Sequence, residues 1–393
     1  VRFLFVKEHF SWPRNSGHDV HCYYLMRALS HLGHTVALLT KTDPPGAALE
    51  GAGLHERWTF LSAPRLGSVG SFSLTRLQER FRSYWGIDSD AIRCVGDLAN
   101  HFQADAVVVA GLNVLPYLGA VQHAQRIWYA ADEWVRHHLS LVRMNRPSTW
   151  REIRPAILKG LYERAYSSLM DRIWVVTEAD RKAMRWVVGR TAIDVIANGV
   201  DGDYYRPVPV PPEPETCTFW GRLDFEPNVQ ALQWFCQHVW PLVRKQRPQA
   251  RFTIYGFQPI ASVLALQSQE GVEVIPDLPD LRNEIARHAV VVLPFISGGG
   301  IKNKLLEAAS MGRPILASRR ACGGLHCDDP PPFFIATTTS EWLAKLLLLW
   351  DNVELAAQLG AKARAWVLGK HTWDAAARAA VAPLEQSPAG SLP

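Results

Sequence analysis

The chain has 393 residues, 48% hydrophobic and 20% charged, with a formal net charge of +5. That is ordinary globular composition with length for about two domains. It contains no apolar run of about 18 residues that would span a bilayer, and its basic residues form no dense run of the kind that grips nucleic acid. The mild positive balance suits an anionic ligand or an anionic membrane surface, and equally a plain soluble protein.

In chain order, the strand-like runs of the first half are "VRFLFV" (1–6), "HTVALLT" (34–40), "ADAVVVA" (104–110), "RIWYAA" (126–131), "DRIWVV" (171–176) and "AIDVIA" (192–197). Those of the second half are "TCTFWG" (216–221), "ARFTIYG" (250–256), "VEVI" (272–275), "AVVVLP" (289–294), "PILAS" (314–318) and "FFIA" (333–336). Helical stretches separate them, which predicts α/β architecture with parallel sheets covered on both faces. Between the two series lies "RPVPVPPEPE" (206–215), whose five prolines make a stiff linker. The expected organisation is a domain at 1–205, the linker at 206–215, a second domain at 216–370 and a terminal segment at 371–393. Two doubly wound, Rossmann-like domains facing a cleft would place ligands at the carboxyl ends of strands.

One stretch carries chemistry. "FISGGGIKNKLLEAASMGRPILAS" (295–318) follows a buried strand and runs into a helix that Gly312 and Pro314 stop. Gly298, Gly299 and Gly300 permit close approach to the backbone. A helix N-terminus favours phosphate, and Lys302 and Lys304 add full charges. Glu307, one turn into the helix on its exposed rim, could accept two hydroxyl hydrogen bonds as an acidic residue does for ribose. Glycines and lysines for a diphosphate with a glutamate for ribose make a coherent nucleotide site; an ordinary glycine-rich turn reads the same way. The loop lacks GK[ST], so it is no Walker loop, and the first turn, "KEHFSWPRNSGHDV" (7–20), lacks G-x-G-x-x-G.

The cysteines Cys22, Cys94, Cys217, Cys236, Cys322 and Cys327 form no disulfide framework. Cys322, His326 and Cys327 lie close together but lack a second ligand pair, so no metal is expected. A reducing cytoplasm is the simplest location, and "VRFLFVKEHF" is too short and charged for a signal peptide. The stretch 141–166 has six basic and two acidic residues with interleaved aromatics. It reads as a solvated helix or as a peripheral contact with an anionic membrane at its inner face.

Taken together, these motifs resemble the retaining GT-B glycosyltransferases of family 4, the group 1 glycosyltransferases. The resemblance runs through "SGHDVHCYYLMRALSHLGHTVALLT" (16–40), "VIANGVDGDYYRP" (195–207), "FWGRLDFEPNVQALQWF" (219–235), "GGGIKNKLLEAASMGRPILAS" (298–318) and "HTWDAAARA" (371–379). It implies transfer of a sugar from a UDP- or GDP-linked donor to a glycan or lipid-linked acceptor, with retention, without metal or other cofactor, in polysaccharide or glycoconjugate synthesis. It implies donor binding by Gly17, Arg222, Gly298, Gly299, Gly300, Ile301, Lys302, Asn303, Lys304 and Glu307, with Arg222 and Lys304 stabilising the leaving diphosphate. It also implies a terminal helix that crosses back to the first domain.

The departures from the family pattern are specific. Gly299 stands where many members carry a first glutamate, and Pro227 where many carry a lysine, a charge that Lys304 would restore. His18 replaces a second loop glycine and reads as a solvated helix-start histidine or a functional one. No histidine follows the fourth strand; in "WYAADEW" (128–134), Asp132 or Glu133 would orient the acceptor or take its proton, with Asp132 preferred. Asp132 also suits a helix N-cap. Two alternatives stay open: a nucleotide-sugar epimerase and a non-catalytic nucleotide-sugar binder.

Overall fold

The computed structural model describes residues 1–10, 17–41, 43–59, 89–130, 153–325, 327 and 330–386. They form two compact units, one running to Ala197 and resuming at Trp373, the other spanning Asn198–Thr372.

Unit 1 is built on strands β1 (Arg2–Lys7), β2 (Thr35–Thr40), β3 (Glu56–Thr59), β4 (Ala106–Ala110), β5 (Gln125–Ala130), β6 (Arg172–Val175) and β7 (Ala192–Val195). Its helices are α1 (Gly17–His31), α2 (Gly46–Leu49), α3 (Ser89–His101), α4 (Ile153–Tyr166) and α5 (Glu178–Val188). The sheet is parallel in the order β3-β2-β1-β4-β5-β6-β7. β4 is "AVVVA" with every residue buried, because a central parallel strand meets apolar packing on both faces. Phe3, Phe5, Val36, Leu38, Val108 and Ile127 pack to one side of the sheet. Leu4, Val6, Ala37, Leu39, Val107 and Val109 pack to the other.

Unit 2 carries β8 (Glu213–Arg222), β9 (Arg251–Phe257), β10 (Val272–Pro276), β11 (His288–Leu293), β12 (Ile315–Ser318) and β13 (Phe334–Ala336), again all parallel, in the order β10-β9-β8-β11-β12-β13. Its helices are α6 (Glu226–His238), α7 (Trp240–Gln246), α8 (Ala261–Leu264), α9 (Arg282–Ala286), α10 (Asn303–Ser310), α11 (Thr339–Asp351) and α12 (Val353–Lys370). The last helix, α13 (Trp373–Glu385), packs with unit 1 against α1. Trp373 stacks on Tyr24 with centroids 5.4 Å apart and planes 8° from parallel, and meets the His21 ring edge-on at 5.0 Å. Behind it Ala376, Ala377 and Ala380 are buried, small enough to let the two helices approach.

Every run read as a strand from the sequence forms one. β3, "ERWT", was not foreseen: it is an edge strand with one large apolar residue, and its pairing with β2 rather than its own pattern makes it extended. The proline stretch is also placed differently. The units divide ahead of it, and Glu213–Glu215 already belong to β8. The reason is that the preceding residues dock on unit 2: Asn198 Nδ2 donates to Asn303 Oδ1 at 2.6 Å, and the Val200 amide donates to His371 O at 2.9 Å.

In each sheet the strand order reverses at one place, between β1 and β4 and between β8 and β11. At these points the following connections diverge and leave a crevice at the strands' carboxyl ends. Among the described residues no helix is long and apolar enough to cross a membrane.

Candidate functional site

β8 ends at Arg222 and β11 at Leu293, so the switch point of unit 2 is flanked by "WGRL" and by the glycine loop. The loop is shaped by Gly298 and Gly300, whose φ angles of 87° and 67° lie in the left-handed region that side chains disfavour. A Cβ at Gly299 or Gly300 would meet nothing within 4 Å, whereas one at Gly298 would press on Pro227 at 3.1 Å. Pro227, which stands where a lysine was sought, is therefore the packing partner that supports the loop. Ser297 at the loop's foot is 6% exposed, and its Oγ has no hydrogen-bond partner among the described residues. A buried unpaired hydroxyl is costly unless something supplies the missing bond.

α10 begins at Asn303, with Lys302 as its N-cap and no side-chain cap bond from it. Lys302 Nζ donates to Gly299 O at 2.5 Å and lies 5.2 Å from the centre of the Phe295 ring. Ile301 is buried and pins the loop, and Asn303 is engaged by Asn198, so these two hold the loop rather than present polar groups.

Lys304 is half-buried. Its ammonium lies 3.4 Å from Asn228 Oδ1 and over the rings of Phe219 and Phe295 at 5.4 and 5.8 Å. Desolvation pulls its pKa from 10.5 down to about 8, with Glu307 opposing. A side chain on Gly221 would fall 2.5 Å from Lys304 Cε and Nζ, so that glycine is what lets the lysine lie across the end of β8. The φ of 140° at Gly221 also suits glycine.

Glu307 is half-buried rather than on an exposed rim. Its Oε2 accepts from Trp220 Nε1 at 2.8 Å, and the Tyr205 hydroxyl also bonds it. Burial raises its pKa, and Trp220, Lys304 and Tyr205 oppose the rise. Arg222 is 40% exposed at its side chain and is gripped by Asp224, with Nε to Oδ1 at 3.0 Å and Nη2 to Oδ2 at 2.6 Å. That fork raises the arginine's pKa and lowers the aspartate's.

Unit 1 has its own polar cluster at the β1/β4 switch point. Lys7 Nζ pairs with Asp19 Oδ1 at 2.6 Å, both side chains under 10% exposed. Burial raises the Glu8 pKa, but bonds from Asn113 Nδ2 at 2.8 Å and Lys41 Nζ at 3.1 Å outweigh it and hold the carboxyl below its usual range. Gly17 is the first residue of α1. His18, next in line, is not a solvated histidine: desolvation and the nearby Lys7 push its pKa down to about 4, so the ring is neutral. Its Cε1 lies 3.5 Å from where a Cβ on Gly111 would stand.

The structure thus brings together Arg222, Gly298, Gly299, Gly300, Ile301, Lys302, Asn303, Lys304 and Glu307, while Gly17 belongs to the other unit. Asp132 and Glu133 lie outside the described residues, as do His326 and residues 141–152. Among the described residues no group of three or more His, Cys, Asp or Glu is arranged to hold a metal. Sequence reasoning missed Trp220, Asn228, Ser297 and Tyr205. Trp220 was findable, since strand alternation sets it on the same face as Arg222. Tyr205 arrives from a hundred residues away and left no local signal.

Residues 214–352 match the model of the family described as glycosyl transferases group 1. No curated protein matches the chain in sequence. Among solved structures, the chain is similar to Anabaena HepE in complex with UDP and glucose, with a TM-score of 0.65, 14% identity and coverage of 98% of this chain and 99% of that one. It is similar to TarM at a TM-score of 0.71, with 12% identity and coverage of 98% and 99%. It is similar to sucrose-phosphate synthase from Thermosynechococcus elongatus at 0.67, with 14% identity and coverage of 98% of both chains. At such identities the likeness establishes the fold, a GT-B pair of doubly wound α/β units extending over nearly the whole chain.

Proposed function

We propose that the chain is a glycosyltransferase that takes a sugar from a nucleoside diphosphate donor bound in unit 2 and passes it to a hydroxyl of a glycan or lipid-linked acceptor. The carrying observation is the loop at the β8/β11 switch point. It combines open space at Gly299 and Gly300, a buried hydroxyl at Ser297 with no hydrogen-bond partner among the described residues, and a desolvated ammonium at Lys304. The match of residues 214–352 to a glycosyltransferase family model supports the same reading. So does the likeness to a protein solved with UDP and glucose.

In this mechanism the diphosphate lies along the loop amides and the N-terminus of α10. Lys302, Lys304 and Arg222 meet the charge that grows on the departing phosphate oxygen, which makes the reaction metal-independent. Arg222 reaches the phosphate by sharing or exchanging its Asp224 partner. Glu307, aimed by Trp220 and Tyr205, accepts the ribose hydroxyls. The acceptor oxygen forms its bond to the anomeric carbon on the face that the leaving group vacates, so configuration is retained, and Asp132 orients that hydroxyl or takes its proton.

A second reading has an observation of its own. Gly299 leaves open space where related chains carry a carboxylate, which suits a protein that binds a nucleotide-sugar without turning it over.

The test is a thermal-shift panel of UDP, GDP, ADP and their sugar conjugates on wild type and Glu307→Ala, followed by product analysis with acceptor extracts. One nucleotide stabilises the wild type, the variant loses that shift, and chelator leaves transfer intact. Absence of any shift at millimolar nucleotide sinks the donor site. Donor binding with no sugar transfer favours the second reading, and an inverted product overturns retention.

A further inference from the structure

Glu307 needs a fixed direction to receive hydroxyl groups, and its own helix does not give it one, because the terminal torsion of a glutamate is broad. Two donors from outside α10 supply it. Trp220 Nε1 donates to Oε2 at 2.8 Å, and the Tyr205 hydroxyl makes the second bond. An ionised carboxylate offers about four lone-pair sites. These donors take two and leave two, the number that a vicinal diol fills.

Tyr205 ends a strap, residues 198–205, that lies outside the named helices and strands. Asn198 pins the start of the strap to α10 through Asn303. Asp201 Oδ1 accepts from the Asp203 and Tyr204 amides at 3.2 and 3.0 Å, and the Tyr205 amide donates to Asp201 O at 2.9 Å. Those bonds shape a turn but do not attach it to anything. Apolar burial holds it weakly, since Tyr204 is 40% exposed. The attachment is Arg282, the first residue of α9. Its Nη1 donates to Tyr204 O at 3.1 Å, and its guanidinium lies 4.1 Å from the centre of the Tyr204 ring. That ring meets the Tyr205 ring edge-on at 4.9 Å.

Asp280 in turn grips Arg282, with Nε to Oδ1 at 3.0 Å and Nη2 to Oδ2 at 2.6 Å, and accepts the Arg282 amide at 2.9 Å. An exposed arginine–aspartate pair by itself contributes little to stability. This one fixes a planar guanidinium that holds both the backbone and the ring of the residue beside Tyr205, which makes it a clamp.

We propose that Asp280 and Arg282 are positioning residues for nucleotide specificity. They clamp the 198–205 strap so that Tyr205 turns Glu307 toward two ribose hydroxyls and the site rejects 2′-deoxynucleotides. The inference rests on the reading of unit 2 as a nucleotide-donor site.

The experiment is titration calorimetry of UDP, GDP and ADP, each against its 2′-deoxy form. Wild type prefers the ribonucleotide about a hundredfold, because the missing hydroxyl leaves a half-buried carboxylate unpaired. Tyr205→Phe lowers ribonucleotide affinity about tenfold and leaves 2′-deoxynucleotide affinity within about twofold. Arg282→Ala and Asp280→Asn move the same ratio in the same direction, by about fivefold. Arg282→Ala combined with Tyr205→Phe is no worse than Tyr205→Phe alone, as for residues acting through one another. Tyr205 opposes the burial that raises the Glu307 pKa. In each variant, therefore, the acid-side loss of ribonucleotide binding begins at higher pH. Thermal unfolding of each variant without nucleotide excludes misfolding as the cause.

The clamp is overturned if Arg282→Ala and Asp280→Asn keep the wild-type ribose preference, or if both nucleotide forms weaken together, which would make it a support for the fold alone. Additive losses in the double variant overturn it as well. Wild type that binds nucleotides without preferring ribose sinks this inference alone. Wild type that binds no nucleotide removes the donor-site reading and this inference with it.

Discussion

The two units share a parallel-sheet topology and a switch point, yet the crevices they build differ in chemistry. At the β1/β4 end of unit 1, charges are used up on one another: Lys7 with Asp19, Lys41 and Asn113 with Glu8. At the β8/β11 end of unit 2, Lys304 is flanked by an amide and two aromatic rings, and glycines keep the neighbouring space open. The same fold position is a self-neutralised polar cluster in one unit and a cationic recess in the other. Topology therefore decides where a ligand can sit, and the local balance of charge decides which ligand it is.

Four experiments break or sharpen this contrast. The largest effect belongs to Asp19→Ala, which leaves the Lys7 ammonium buried without its carboxylate. It costs about 3–5 kcal/mol in denaturant unfolding, because an unpaired buried charge keeps its full desolvation penalty. Nucleotide-induced stabilisation of the folded variant stays as in wild type. A cost near zero would show that the unit 1 cluster is not the closed network described.

Next comes Lys304→Met, the reverse case. Nucleoside diphosphate affinity falls about a hundredfold by titration calorimetry, as expected for a lost charge-assisted contact. Stability is unchanged or improved, because a desolvated cation gives way to an apolar chain of similar length. Loss of stability with intact binding would reverse the roles assigned to the two crevices.

The third effect is a pH profile. Burial lowers the Lys304 pKa from 10.5 to about 8. Below about 8 the ammonium is charged and affinity is flat; above it the amine loses its proton and affinity falls, by about tenfold per pH unit at most. Between about 8 and 10.5 the unfolded chain binds the extra proton, so stability contributed by this group rises with pH across that window. Lys304→Met abolishes both slopes. If they persist in the variant, another group carries the titration.

The smallest is Trp220→Phe, which removes the 2.8 Å bond to Glu307 while keeping an aromatic ring in the strand. The loss is about 1 kcal/mol of nucleotide binding, a fewfold change in affinity. Glu307 loses a group that opposes its raised pKa. Its carboxylate form is then further disfavoured, and binding weakens most toward acidic pH. A hundredfold loss would mean that the indole itself touches the nucleotide.

Much of this was legible in the sequence, and the limits are physical. Buried parallel strands announce themselves because both faces are apolar, so "AVVVA" and "HAVVVL" need no alternation to be recognised. The loop was legible as a glycine turn running into a helix, because left-handed backbone at Gly298 and Gly300 favours that residue type. The edge strand β3 was not, since its extended form comes from its partner. Nor was the place where unit 2 starts, because prolines report stiffness and not docking.

By itself the sequence determined the two α/β series, the glycine loop and the helix that opens behind it, all properties of residues near one another in the chain. Only tertiary structure decided the electrostatic state of the site. It set Glu307 between Trp220 and Tyr205, laid Lys304 across Gly221, engaged Arg222 with Asp224, and made His18 neutral. Those outcomes depend on burial and on partners brought from distant strands, and desolvation is a property of the folded volume that no local pattern encodes.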